Sequence, residues 1–513
     1  KKKGSYYLVN SRSDRFDGNL TLAYNKTIDK HMLNVGVGSN IMQSETEGES
    51  FTGVGFINPD MIFIGAANAF QENTSPQGTY DKSRLVGFFT NVNYGYGNRY
   101  FLDFSFRSDG SSKFGRNSRF APFWSLGVAW NVHNESFWHA HEKNALKLRA
   151  SVGSTGTTNF SSTQALTTYL YDFSREYNGN FGVSLAGYGN SSLKWQTTLS
   201  YNVGVDFTFL HGLVVFNGDF YIKNTRSLLL PVTVAPSTGF IDYVENIGKL
   251  RNTGVEARLR FNLIQDAVKD LRWNVTLSAF HNRSKITQLS NQLETINQYA
   301  NDDRANQGTV VYRQFEAGRS QTALMVVRSG GIDPATGNEI YIKRNGEMTF
   351  EYNHNDKIEC GDMKPKIEGN VNTNLNWKGF NLYMLFKYQY GGKIYNATLA
   401  SKVEGVNPLK NADKRVLYDR WKEPGDHAKF RRIDDTSAPY QTTRLVFDNN
   451  LLALQSVSLS YELPRKISQK MYMERVKLLL SSTDLFRLSS VKQERGTSYP
   501  FARTFSIGLN VTF

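Results

Sequence analysis

The chain ends ARTFSIGLNVTF, Ala502–Phe513, and this stretch decides the fold. Phe505, Ile507, Leu509, Val511 and Phe513 fall on one side of an extended strand, and Thr504, Ser506, Asn510 and Thr512 on the other. The same period of two returns upstream. Tyr100, Leu102, Phe104 and Phe106 alternate with Asp103, Ser105 and Arg107, and Val371 and Leu375 alternate with Asn370, Asn372, Asn374 and Asn376. The gaps between such segments are by turns short and long. Half-wet strands joined in that way predict an all-β fold, a transmembrane antiparallel β-barrel.

Composition agrees with a barrel and excludes a helical membrane protein. The hydrophobic fraction is 40%, mean hydropathy is -0.45, and no apolar run approaches the roughly 20 residues that a spanning helix needs. A barrel strand turns only every second residue to lipid, so a modest hydropathy suffices. Aromatic residues reach 13%, with 27 Tyr and 34 Phe, enough for girdles at both membrane interfaces. The net charge of +14 is scattered through strands and loops, Lys1 to Lys3 apart, and reads as a property of the lumen and rim, not as a nucleic-acid site. Cys360 is the only cysteine, which excludes an intrachain disulfide and a cysteine zinc site. The basic start has no apolar core behind it and is not a signal peptide, so the chain is expected to open mid-protein or after processing.

The alternation marks about fifteen strands, from one around Phe16, Leu20, Leu22 and Tyr24 to the terminal one. Short turns are predicted near Lys26, Gly97, His211, Asp266, Lys378 and Arg465, and long loops over 44–83, 155–192, 288–365 and 392–442. In outer-membrane barrels short turns are periplasmic and long loops extracellular, which places the C-terminus in the periplasm. Bacterial single-chain barrels close with an even number of strands, because free sheet edges in lipid cost several kcal/mol per unpaired group. Fifteen is odd. An odd number of further strands is therefore expected from an N-terminal portion or another chain, with residues 1–513 forming the C-terminal portion of one barrel domain.

Several stretches carry a family resemblance across nearly the whole chain: RSDGSSKFG at Arg107–Gly115, NIGKLRNTGVE at Asn246–Glu256, GIDPATG at Gly331–Gly337, YQYGGKIYN at Tyr388–Asn396, and the ending from Tyr499. In order and spacing they resemble SusC-type TonB-dependent transporters of Bacteroidetes. The resemblance implies a 22-stranded barrel with an N-terminal plug and TonB box, neither of them in this sequence. It also implies a SusD-like surface lipoprotein over the mouth, coupling to the TonB complex, and import of oligosaccharides or peptides. A barrel of that width needs a plug, because an open lumen would leak.

Candidate site residues fall into two groups. Asp103, Arg107, Lys147, Arg149, Asp206, Asp219, Glu256, Arg258, Arg260, Arg272 and Glu368 lie on the wet side of their strands and are predicted to face the lumen, since Lys or Arg on the lipid side costs about 2–4 kcal/mol at the midplane. Their mixed signs favour pairing within the wall or with a plug. Phe240, Tyr243, Tyr390, Tyr395, Tyr418, Trp421 and Tyr440 sit in or near the long loops, where aromatic faces could stack on sugar rings or pack a peptide. A short helix is read over Asn411 to Trp421, with Leu417 and Trp421 on one side.

No catalytic grouping of Ser, His and Asp shares a strand face, and the chain is not read as an enzyme. His139 and His141 have no third ligand near them, so no metal is assigned. Asn301–Arg304 and Asn353–Asp356 are acidic enough for calcium, but solvated loop charge is the simpler reading. No cofactor is expected, with calcium in an extracellular loop or a partner as the alternative. The alternative to an importer is a non-transporting subunit or scaffold of a larger outer-membrane assembly.

Overall fold

The computed structural model describes residues 4–56, 58, 63–71, 76–139, 142–158, 164–233, 242–246, 248–289, 316–407, 409, 412–435, 437, 439–491 and 503–513. No helix among them is long and apolar enough to cross a membrane. Among the described residues sixteen strands share one sheet; fifteen of them follow one another in chain order, and the two-residue strand Ala69–Phe70 pairs with the second of these off that path. The fifteen begin with β1 Ser5–Ile28, β2 His31–Val54, β3 Gln77–Tyr96, β4 Tyr100–Ser111 and β5 Phe120–Asn131. Next come β6 Ala145–Thr157, β7 Gln196–Phe209, β8 Val214–Arg226, β9 Lys249–Asp266 and β10 Leu271–Gln288. The last are β11 Ile367–Trp377, β12 Phe380–Tyr390, β13 Leu451–Glu462, β14 Arg475–Ser489 and β15 Thr504–Thr512. Among the described residues β1 and β15 each have a single neighbour in this sheet.

Two compact units divide the chain. The first holds Lys1–Val128, Ser151–Ser200 and Thr225–Ile247. Its β1 to β4 hairpins keep one apolar face, as in the rows Tyr24, Val35, Val92, Phe104 and Ile28, His31, Tyr96, Tyr100. Directly opposed residues share a face, so the alternation of each strand adds up across the sheet. A small core sits at the other end of the unit, where Phe114 stacks on Trp195 at 4.5 Å and Phe123 meets the same indole edge-on at 5.2 Å. The Trp195 indole donates to the Arg119 carbonyl at 3.0 Å. Asn246 clamps the neighbouring backbone, accepting from Lys194 N at 2.9 Å and donating to Lys194 O at 2.7 Å. A Cβ on Gly115 would lie 1.7 Å from the Ser191 carbonyl oxygen, so only glycine fits there. The two motifs that contain Phe114, Gly115 and Asn246 thus converge on one short segment, Ser191–Trp195.

The first three strands correct the sequence reading. The turn read near Lys26 falls at Asp29–Lys30, and much of the span 44–83 is strand. At 24 residues, β1 and β2 are each about 80 Å long, whereas roughly 9–11 residues cross a bilayer. Beyond Phe16 the apolar face stops. Arg12 and Asp14 lie on one side and Ser13 and Arg15 on the other, and Glu45 is held by Lys82 at 2.8 Å and by the Tyr80 hydroxyl at 2.5 Å. A sheet wet on both faces belongs outside the hydrocarbon.

The second unit holds Ala129–Ala150, Tyr201–Asn224 and Gly248–Phe513. Its strands also turn sharply at one end. Lys378 and Gly379 both have positive φ, 46° and 86°, the geometry that matches the right-handed twist of a hairpin. The connection read as a short turn near Arg465 instead spans 463–474 and carries the helix Arg465–Lys470. At the opposite end, the described residues of 316–366 and 391–450 form a compact body of short strands with its own core of Leu324, Val326, Tyr395, Ala400, Val403, Val416, Phe430 and Leu445. The helix read over Asn411–Trp421 is a single turn, Arg415–Tyr418, that buries Val416 and leaves Leu417 exposed; Asn411 itself lies outside the described residues.

Candidate functional site

In the second unit the two sheet faces differ sharply. One carries rows such as Leu259, Leu277, Val371, Phe386, Leu454, Phe486 and Trp273, Leu375, Leu382, Leu459, Leu480, Ile507. Next to the tight turns lies a row rich in aromatics, Leu271, Trp377, Phe380, Tyr461, Leu478, Leu509, in which Phe380 and Tyr461 stack at 4.2 Å. An apolar band ending in an aromatic girdle is what a lipid interface selects. Even the Trp273 indole on this face is satisfied, donating to the Thr373 hydroxyl at 2.8 Å.

The other face is polar. Its rows are Glu256, Phe280, Glu368, Gln389; Arg258, Ser278, Asn370, Lys387; Arg260, Thr276, Asn372, Leu385; and Arg272, Asn376, Asn381, Ser460. Arg149 forks onto Asp206 at 2.8 and 3.1 Å and reaches Asp219 at 3.1 Å, while Asn217 donates to Asp206 at 2.8 Å. Gly204 leaves the space for this triad, since a Cβ there would lie 2.5 Å from an Asp219 oxygen. The triad lines a concavity of about 550 Å³ with Glu256, Arg258, Asn370 and Asn372. A second concavity of about 790 Å³ lies on the same face at the tight-turn end, lined by Arg272, Asn376, Asn381, Glu462, Arg475 and Lys477 among others. Lys147, two residues from Arg149, shares its face. In the first unit Asp103 stands in the row Asn25, Asn34, Asn93, Asp103, and Arg107 bonds Asp109 and Asn40.

The loop body is built around charge. Arg444 donates to both Glu404 oxygens at 2.6 and 2.7 Å and to Glu339 at 2.9 Å. Arg431 meets Glu404 at 3.0 Å and Asp435 at 2.5 Å, and Arg420 donates to the Val403 and Glu404 carbonyls. Glu404, Glu339, Arg431 and Arg420 are all buried. Burial opposes the Arg444 charge, but the carboxylates of Glu339 and Glu404 outweigh it and the guanidinium pKa is raised. Burial also pushes the Tyr341 and Tyr395 hydroxyls upward, and it raises the half-buried Cys360 thiol. Such a network holds one geometry, because each group left alone would be an uncompensated buried charge.

The candidate aromatics do not assemble into one site. Tyr395 lies inside the loop core, and Tyr418 is 75% exposed. Trp421 packs over the turn Asp333–Gly337 and donates to the Pro334 carbonyl at 2.8 Å. Tyr440 stacks on Tyr352 at 4.1 Å, with Tyr341 edge-on to both. Tyr390 stands exposed at the loop end of β12. Phe240 lies outside the described residues, and Tyr243 is placed only by its backbone, opposite Val232. His141 and Asn301–Arg304 are also outside them, while the His139 ring bonds the Phe137 carbonyl at 2.7 Å. Asn353 caps the turn His354–Asp356, and Asp356 accepts from Arg344 N at 3.0 Å. Among the described residues no three His, Cys, Asp or Glu side chains gather as a metal site.

A sheet with one girdled apolar face, one charged face and elaborate loops at a single end defines an outer-membrane β-barrel wall. Residues 2–319 match the family described as TonB dependent receptor-like, beta-barrel, and the chain belongs to that family. It is 26% identical over 536 residues to TonB-dependent receptor P3 of Formosa agariphila, covering 96% of this chain and 52% of that protein. It is 27% identical over 333 residues to TonB-dependent receptor SusC of Bacteroides thetaiotaomicron, covering 63% of this chain and 32% of that one. The RagAB peptide transporter structure superposes with a TM-score of 0.87 at 22% identity, covering 99% of this chain and 56% of that chain. The chain thus spans about half the length of the curated relatives that match nearly all of it. Family members are receptors and transporters of the outer membrane, not enzymes.

Proposed function

We propose that this chain forms the C-terminal part of the barrel of a SusC-like importer that takes up oligosaccharides or peptides across the outer membrane. The tight turns then lie in the periplasm with the C-terminus, and the loop body faces outward. The observation that carries the reading is the pairing of a girdled apolar face with a polar face that holds two concavities and the Arg149 triad. The single-neighbour edges of β1 and β15 are completed by strands encoded outside this sequence. A SusD-like lipoprotein docks on the loop side, and TonB engages a plug that also lies outside it. The likeness to a peptide transporter supports peptide as one cargo, and the relation to SusC supports a surface partner.

The test is uptake in cells expressing the full-length protein. Labelled peptide or oligosaccharide accumulates in the periplasm, and the accumulation falls to background when TonB is removed; uptake indifferent to TonB overturns the reading. A cysteine placed at Lys378 reacts with an impermeant thiol reagent only after the outer membrane is opened, whereas one at Tyr418 reacts in intact cells. The opposite pattern reverses the assigned orientation.

A further inference from the structure

β11 runs EGNVNTNLN from Glu368 to Asn376, with asparagine at every second position from 370 to 376. Asparagine is depleted in strands, so strand propensity alone does not account for four in alternation. All four stand on the polar face, in a column about 20 Å long. Asn370 and Asn372 line the concavity that contains the Arg149 triad. Asn376 and Asn381 line the one at the tight-turn end. The column therefore joins the two concavities. Its lower part is fixed by mutual bonds: Asn381 donates to Asn374 at 2.9 Å and to Asn376 at 2.6 Å, and Asn376 donates to Asn374 at 2.9 Å.

A neutral amide offers two donors and an acceptor oxygen with two lone pairs, so these bonds fill Asn374 Oδ1 but do not exhaust the column. Its pitch of about 6.7 Å, two residues of strand, equals the repeat of any other extended polypeptide. Carboxamides at that spacing can meet the C=O and N–H groups of every second residue in such a chain without having to strip water from a charge. Glu256 and Arg258, side by side on the same face of β9, supply opposite charges beside its upper end.

We propose that the asparagine column of β11 is a binding track for peptides in extended conformation, running from the Arg149 concavity to the tight-turn mouth. As a route for cargo it rests on the importer reading, of which it specifies the substrate class. The test uses full-length protein in outer-membrane vesicles, freed of its own thiols, Cys360→Ser among them, with Asn372→Cys as the single reporter. A water-soluble Ala/Ser hexapeptide slows maleimide labelling of that cysteine saturably, roughly tenfold at ten times the half-protecting concentration. Maltohexaose at equal concentration leaves the rate unchanged, and a cysteine at Asn34 is protected by neither. Labelling that ignores the peptide, or equal protection by the sugar, overturns the track. Should Asn372→Cys fail to fold, Asn370→Cys gives the same readout. Protection without TonB-dependent peptide uptake leaves the track standing and removes the importer reading; peptide uptake without protection does the reverse.

Discussion

Arg444 grips both oxygens of Glu404, at 2.6 and 2.7 Å, across forty residues of chain, at a carboxylate that Arg431 also reaches. This pair ties the segment after Leu399 to the segment that leads back into β13, and so closes the loop body on itself.

Glu404→Gln removes the charge that two guanidiniums share. The expected cost is about 3–5 kcal/mol, because Arg431 and Arg444 are left partly uncompensated in a buried site. The loss is confined to the loop body. Hydrogen exchange over 391–450 rises while exchange in β9 to β14 stays slow; protection unchanged in the loops shows the network to be dispensable.

Acid should loosen the same region. The Thr336 hydroxyl and backbone amides hold Asp333 below its ordinary pKa, Lys343 and Asn345 do so for Glu347, and the Lys422 and Glu423 amides for Asp426. A carboxylate with a depressed folded pKa contributes stability that is complete above its unfolded value and lost as pH falls through the folded one. Limited proteolysis of the loops is therefore constant from neutrality down to about pH 4 and accelerates below it. A rate that rises instead toward alkaline pH contradicts the assignment.

Two residues of β10 test which face meets lipid. Leu277 stands in the row with Leu259 and Val371, and Phe280, exposed on the other face, in the row with Glu256 and Glu368. Leu277→Arg is expected to cost about 2–4 kcal/mol in urea titrations of vesicle-folded full-length protein, and Phe280→Arg far less. Equal costs remove the distinction between the faces.

Gly337 has φ +72°, and a Cβ on it would lie 2.6 Å from the Trp421 ring. Gly337→Val combines backbone strain of about 1–3 kcal/mol with displacement of that indole. A red shift of the Trp421 fluorescence, measured against a Trp421→Phe control, reports the displacement. An unshifted spectrum means that the ring does not rest on the turn.

The strand plan was legible in the sequence because a membrane wall imposes a period of two wherever one side meets lipid and the other water. The strands β1 to β15 carry it, from Leu20 and Leu22 to Ile507 and Leu509. The outer halves of β1, β2 and β3 carry no such alternation; in β1 Arg12, Ser13, Asp14 and Arg15 are all exposed. The loop body was invisible for another reason. Leu324, Val403, Phe430 and Leu445 meet only in space, and the ion pairs of Glu404 and Glu339 bury residues that composition assigns to the surface. Tyr395 shows the same limit, since an aromatic among loop residues gives no sign of whether it faces a ligand or a core. The family-like motifs carried signal of this kind: Gly115, Asn246 and Gly337 each stand where another side chain or backbone leaves no latitude.

Each strand from β2 to β15 lies beside the one numbered before it, which bears on how the protein is built. Hairpins closed by two residues, as at Asp29–Lys30 and Lys378–Gly379, have only a short loop to close, whereas β10 and β11 must find each other across residues 289–366. Loop entropy grows only with the logarithm of length, about 0.6 kcal/mol per doubling, so that search delays assembly more than it weakens the product. The wall can therefore be laid down pair by pair, with the slow step at the junction that also sets the asparagine column in place.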